Sequence, residues 1–318
     1  METPSSLPPA SSSAALAADR APLPMRDGVS PSCVVLPAGS WATVMEFLVA
    51  RFPGVAPAIW AERMAAGDVV DELGAVVDPG RPYRSGARIY YYRALAAEPR
   101  IPFDEVVLFQ NEFLVVADKP HFLPVIPSGR YVQETLLVRL KRKLGIAALS
   151  PIHRIDRETA GLVVFTVQAA TRGRYQNLFL DHAIEKHYEA IAPARPELAF
   201  PMLYRSRLEE TPERFMQVRE VAGPPNAETR LALLETRGAW ARYALTPVTG
   251  RKHQLRAHCA ALGIPICHDQ IYPVHQPENT DDYRRPLQLL AKSLAFTDPI
   301  SGNPLRFTSE RTLLWPTS

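Results

Sequence analysis

The stretch His153-Arg-Ile-Asp-Arg-Glu-Thr-Ala-Gly-Leu-Val-Val-Phe-Thr166 places one aspartate, Asp156, between Arg154 and Arg157, just ahead of an apolar run. Close cations favour the ionised form of a carboxylate, and an ionised carboxylate at the start of a strand can act as a nucleophile or general base. Taken alone, the charged triplet would more often be a solvated surface cluster. A second concentration of reactive types is His253, His258, Cys259, Cys267 and His268. His253 and His258 have four residues between them, a spacing compatible with a zinc half-site, but Cys259 and Cys267 have seven and do not complete a set of four, so no metal is expected. Arg139, Lys141, Arg142, Lys143, Arg172 and Arg174 form a basic group that could hold phosphates or simply face water.

These residues need elements to position them. From Ile101 onward, short β-rich runs dominate: Glu105-Val-Val-Leu-Phe, Phe113-Leu-Val-Val-Ala, Leu162-Val-Val-Phe-Thr and Ala241-Arg-Tyr-Ala-Leu. Helices are expected between them at Gln133 to Leu144, Ala169 to Leu180 and Lys252 to Ala261. Strands and helices do not alternate strictly, so the fold expected is α+β with a mixed, largely antiparallel sheet. Ahead of it, residues 34–98 read as a small separate unit. There Trp41 to Phe52 has helical spacing, Pro57 to Ala66 forms a second helix stopped by Gly67, and Arg88 to Arg93 is a strand. Residues 1–33 are rich in Pro, Ser and Ala without a hydrophobic period, and read as a disordered tail. The run Ala14 to Ala18 is short and lacks a basic region before it, so it reads as tail and not as a signal peptide.

The aspartate stretch resembles the His-Arg-Leu-Asp-Arg-x-Thr-Ser-Gly-Leu motif of RluA-type RNA pseudouridine synthases, with Ile155 for the Leu and Ala160 for the Ser. Three further segments resemble the same family in the same order: Asn111 to Pro120 with its Lys119-Pro120, Ile184 to Ala190 with its Lys-x-Tyr, and Thr249 to His258 followed by Leu262 to Asp269. Asp118, His121, His268 and Pro273 depart from it, the last three where the family has Gly. The resemblance implies a pseudouridine synthase core over residues 99–318, with residues 34–98 resembling the small αL-type RNA-binding domain that precedes many such enzymes. It implies that Asp156 is the catalytic nucleophile, that Tyr188 packs against the target uracil, and that Arg256 pairs with Asp156. His253, Arg256 and Ala260 recur at three- and four-residue spacing and so share faces of one helix, and Gly250 suits a tight turn into it. Arg154, which could fill the space left by a flipped nucleotide, Arg157, Arg251 and His253 are the candidate RNA contacts. Lys119 is either a phosphate contact or a structural partner of a carboxylate.

The reaction so implied is isomerisation of specific uridines in ribosomal or transfer RNA, without metal or organic cofactor. No glycine-rich dinucleotide loop or phosphate loop is present to suggest otherwise. A non-catalytic RNA-binding protein would have no chemical need for Asp156, Tyr188 and Arg256 together. A metal-dependent hydrolase would need the His/Cys cluster to be a site. The 318 residues carry a net charge of +3, which permits RNA binding without demanding it, and the hydrophobic 47% can bury a substantial core. No apolar run reaches the length of a membrane span. Three cysteines, Cys33, Cys259 and Cys267, argue against a disulfide framework, so a reducing cytoplasm is expected, and a monomer is the default expectation.

Overall fold

The computed structural model describes residues 21–93, 98–210, 217–276 and 282–316. The chain divides into two compact units, Met1–Ala96 and Ala97–Ser318.

In the N-terminal unit, strands β1 (Ser32–Val35), β2 (Val69–Asp71) and β3 (Arg88–Tyr91) form an antiparallel sheet in the order β1-β3-β2. Helix α1 (Val44–Arg51) starts later than the apolar spacing from Trp41 suggests, because Thr43 caps it: the Glu46 N–H donates to Thr43 Oγ1 at 3.1 Å and the Glu46 carboxylate accepts from the Ala42 N–H at 2.8 Å. Helix α2 (Pro57–Ala65) begins on proline and ends before Gly67, whose φ of 74° is the left-handed stop expected of it. Phe47, Leu48, Trp60 and Met64 fill the core between helices and sheet. Order begins earlier than composition suggests. Val29 is buried, Tyr92 donates to the Pro24 carbonyl at 2.6 Å, and Arg26 pairs with Asp68 at 2.7 Å. Long-range contacts of this kind leave no local period to read. The first part of the expected tail, residues 1–20, lies outside the described residues.

The C-terminal unit is built on a sheet that has eleven strands among the described residues. They are β4 (Val106–Gln110), β5 (Leu114–Lys119), β6 (Ser150–Pro151), β7 (Ala160–Thr166), β8 (Glu185–Pro193), β9 (Met202–Glu210), β10 (Val218–Val221), β11 (Ala227–Arg237), β12 (Trp240–Pro247), β13 (Leu289–Thr297) and β14 (Pro304–Thr308). The order is β10-β9-β11-β12-β8-β13-β7-β5-β4, with β14 on β13 and β6 on β7. The β7–β13 pair is parallel and the other described pairs are antiparallel, so the sheet is mixed and largely antiparallel. Strand β13 forks: Leu290 and Ala291 pair with β7, and Ser293 to Thr297 pair with β14.

Strands β5 and β7 read as unbroken apolar runs because both faces are covered. Val115, Ala117, Val163 and Phe165 face a cluster with helix α3 (Leu136–Leu144). Leu114, Val116, Leu162 and Val164 face the opposite cluster with helix α4 (Arg172–Leu180). Helix α3 starts at Leu136, not Gln133, because Thr135 caps it and the Glu98 carboxylate binds the N–H groups of Val132, Gln133 and Glu134. Ahead of α4, Ala169–Thr171 forms a 3₁₀ turn where one continuous helix was expected. Helix α5 (Gln254–Ala261) packs Leu255 and Cys259 against β8, β11 and β12. No helix of the described residues is long and apolar enough to cross a membrane.

Candidate active site

Sheet order brings together segments far apart in sequence. Asp156 lies in the loop between β6 and β7, and Tyr188 lies on β8 in register with Leu245 of β12 and Ala291 of β13. Only β13 separates β7 from β8, and Gly161 makes that closeness possible. Its φ is +109°, and a Cβ there would fall within 3.0 Å of the Ala291 backbone.

Arg256 on α5 is the centre of the charge arrangement. Its side chain is 1% exposed, and it donates to both carboxylate oxygens of the fully buried Asp269, Nε at 2.8 Å and Nη2 at 2.7 Å. The remaining nitrogen, Nη1, reaches Asp156 Oδ2 at 3.3 Å and Glu158 Oε2 at 3.7 Å. Burial opposes the guanidinium charge, but the bonds and charge of Asp269, followed by Asp156 and Glu158, outweigh it and raise its pKa. Asp269 is itself fixed by the N–H groups of Ile271 and Tyr272, at 2.8 and 3.0 Å. Burial pushes the Glu158 carboxyl up, and Arg157 and Arg256 overcome that and hold it below the usual carboxylate range.

The entry to α5 is braced by Gln254. Its Oε1 accepts from Thr249 Oγ1 at 2.7 Å and from the Arg251 N–H at 3.1 Å, and its Nε2 donates to the Glu228 carbonyl and Thr229 Oγ1. The left-handed residue of this turn is His253, with φ 50°, and not Gly250. That conformation brings His253 Nε2 to 3.8 Å from Asp156 Oδ1, while Nδ1 lies 3.4 Å from the Tyr272 hydroxyl. Burial lowers the imidazole pKa, and Asp156 counteracts this only in part. At Tyr188, burial and then the charge of Asp156 raise the phenol pKa.

Asp156, Tyr188 and Arg256 border one cleft, together with Arg154, Arg157, Arg251 and His253. Arg154 is exposed and makes no ion pair among the described residues. Arg157 donates to Glu158 at 2.8 Å and to the Tyr131 hydroxyl at 3.2 Å. Arg251 is exposed and donates to the Asn226 carbonyl at 3.1 Å. Lys119 is elsewhere: it is wholly buried, and its ammonium donates to the Pro120 and Arg157 carbonyls at 2.9 and 3.0 Å. Through those two carbonyls the buried ammonium ties the aspartate loop to the end of β5. Burial lowers its pKa to about 7 against the pull of Glu158 and Asp156. Arg139 is bonded to Glu134, Glu105 and the carbonyls of Ile101 and Phe103.

Sequence reasoning gave no role to Asp269 or Glu158. The signal was present, since one ends the Leu-Gly-x-Pro-Ile motif and the other follows Arg157, but a carboxylate gains meaning only from the cation it meets. The His/Cys cluster is dispersed. His258 is clamped between Thr229 Oγ1 at 2.9 Å and Ser206 Oγ at 3.0 Å, and no group of three or more His, Cys, Asp or Glu among the described residues is placed to hold a metal ion. Two departures from the motifs have local explanations. His268 sits at φ 62°, the conformation that favours Gly. Asp118 is buried and satisfied by Ser309, the Glu310 N–H and Arg311.

The family described as RNA pseudouridylate synthase matches residues 113–261. The dual-specificity RNA pseudouridine synthase RluA of Haemophilus influenzae is 31% identical over 206 residues, covering 64% of this chain and 92% of that protein. The tRNA pseudouridine synthase C of Vibrio cholerae is 31% identical over 215 residues, covering 63% and 88%. Among solved structures, human RNA pseudouridylate synthase domain containing 1 shares the fold, with a TM-score of 0.55 at 19% identity over 69% of this chain and 94% of that one. The chain belongs to the RluA-type RNA pseudouridine synthases and is an isomerase that acts on RNA.

Proposed function

We propose that this enzyme isomerises specific uridines of transfer or ribosomal RNA, as a cytoplasmic monomer, with Asp156 as nucleophile. The observation that carries the reading is Asp156 at the cleft surface, 29% exposed, with Arg256 behind it and Tyr188 on the neighbouring wall. The relatives named for transfer RNA and for dual specificity support that range of substrates.

In the isomerisation, the bond from the ribose anomeric carbon to a ring nitrogen breaks and a bond to a ring carbon forms. The carbon loses a proton and the nitrogen gains one, so no redox partner is required. Asp156 attacks the anomeric carbon or the uracil ring, or removes a ribose proton to give a glycal. Arg256 orients Asp156 in each case, because two of its three nitrogens are committed to Asp269 and only the third faces the cleft. Tyr188 packs on the extruded base and takes part in the later deprotonation. Extrusion costs a few kcal/mol, roughly, and one stacked ring returns ~1–3 kcal/mol. Arg154 occupies the space the base leaves, and Arg157, Arg251 and His253 line its surroundings. The N-terminal unit adds a second RNA contact in the manner of an αL-type domain.

The test is to map pseudouridine in total RNA from cells lacking the protein and from cells carrying Asp156→Asn. Loss of the same few sites in both, with the variant still folded, is the expected result. Retained modification in the Asn variant would remove Asp156 from the chemistry.

A further inference from the structure

We propose that Phe179 and Lys186 form a subsite for the nucleotide next to the target uridine, its base against the Phe179 ring and its phosphate on the Lys186 ammonium. This rests on the synthase reading of Asp156 and Tyr188.

Lys186 and Tyr188 are two residues apart on β8 and so project from the same face of the sheet. Both border the cleft that holds Asp156, and Phe179 does too. The preceding residue on the strand, Glu185, pairs with Arg306 at 3.6 Å. Lys186 has no carboxylate within ion-pair distance among the described residues; its ammonium lies 5.9 Å from the centre of the Phe179 ring. Burial lowers its pKa, and an anion delivered to the ammonium would reverse that.

Phe179, in the last turn of α4, has a rigid support. The His153 imidazole lies 4.6 Å away at an interplanar angle of 22°. His153 Nε2 accepts the Val164 N–H at 3.1 Å, and burial lowers its pKa to about 3, so the ring is neutral and fixed. A neutral aromatic pair, backed on one side and bordering a cleft, is what a stacking base requires. The Lys186 ammonium over the same ring supplies what the phosphate requires. The same His153 begins the segment that carries Asp156.

Phe179 also packs on the cluster under α4, so the substitution to test is Phe179→Leu, which keeps the apolar contact. The probe is a stem-loop RNA carrying the mapped target uridine, made intact and with an abasic residue at each flanking position in turn. The full-length protein is compared with Phe179→Leu, Lys186→Met and Lys186→Arg. One abasic flank is expected to lower kcat/KM of the parent about tenfold, the size of one base–aromatic stack. Phe179→Leu should lose as much on intact RNA and nothing further on that abasic RNA. Lys186→Met should raise KM with kcat unchanged, and Lys186→Arg should restore it. Losses that multiply instead of overlapping, or two flanks without effect, would overturn the subsite while leaving the synthase reading intact. Turnover by Asp156→Asn on the same RNA would overturn that reading independently of the flanks.

Discussion

Replacing Arg256 tests how the site is held. The guanidinium is shared by three carboxylates, but they are not equal. Asp269 is fully buried and loses its counter-ion when Arg256 is removed, keeping only the N–H groups of Ile271 and Tyr272. Asp156 is 29% exposed and is rescued by water. Breaking a buried pair from one side costs ~3–5 kcal/mol, whereas a solvated pair is worth ~0–1 kcal/mol. Arg256→Gln should therefore destabilise the C-terminal unit by ~3–5 kcal/mol, or roughly 6–20 °C in its calorimetric transition. Asp269→Asn should fall in the same range and Asp156→Asn within ~1 kcal/mol of the parent. With Asp156 no longer oriented, kcat of Arg256→Gln should fall about 100-fold or more, the effect of a misplacement near 1 Å. Arg256→Lys keeps the charge without the two-point grip on Asp269 and should lie between. Scanning calorimetry and single-turnover assays on the full chain read both quantities. If Asp156→Asn costs as much stability as Asp269→Asn, or Arg256→Gln unfolds within about 1 kcal/mol of the parent, the division of labour assigned to Arg256 is refuted.

Further outcomes follow from the same coordinates. Gly161→Ala should destabilise by ~3 kcal/mol or more, because the left-handed strain adds to a clash with the Ala291 backbone; urea unfolding reads it, and a near-neutral result would contradict the β7–β13 contact. His258 is wholly buried with its pKa lowered to about 4, so its neutral form stabilises the fold above about pH 6.5 and that stability is lost as pH falls toward 4. At pH 4.5 the loss from this residue alone should approach ~2 kcal/mol, and a urea midpoint unchanged from pH 7 would exclude it. Lys119 has the same sign in another window. Its folded pKa, about 7, lies below the ordinary 10.5, so stability should rise with pH between those values. Lys119→Met should flatten that rise when urea midpoints at pH 7 and 9.5 are compared, and an equal rise in both proteins would argue against a buried ammonium.

The residues that do local work were legible early. The Asp156 motif, the Lys-x-Tyr segment and the loop into α5 were visible through their resemblance to one family's motifs. The strands β5, β7 and β12 were visible as β-rich runs, because backbone preference and burial repeat over a few residues. The α+β class with a mixed, largely antiparallel sheet followed from the same runs. Two helix starts shifted by three residues because Thr43 and Thr135 cap inside the apolar period.

Contacts made at long range were not legible. Arg256 could be paired with Asp156 only by resemblance, since one hundred residues separate them. That Asp269 grips the same guanidinium, that Lys119 is buried beneath the loop, and that Arg139 is bonded to Glu105 and Glu134 were decided by the tertiary structure. Sequence by itself determined which chemistry the chain carries, because reactive groups are written residue by residue. The tertiary structure decided which of them share a field, because charge, burial and hydrogen bonding depend on distance in space, and β13, entering between β7 and β8 near the end of the chain, sets those distances.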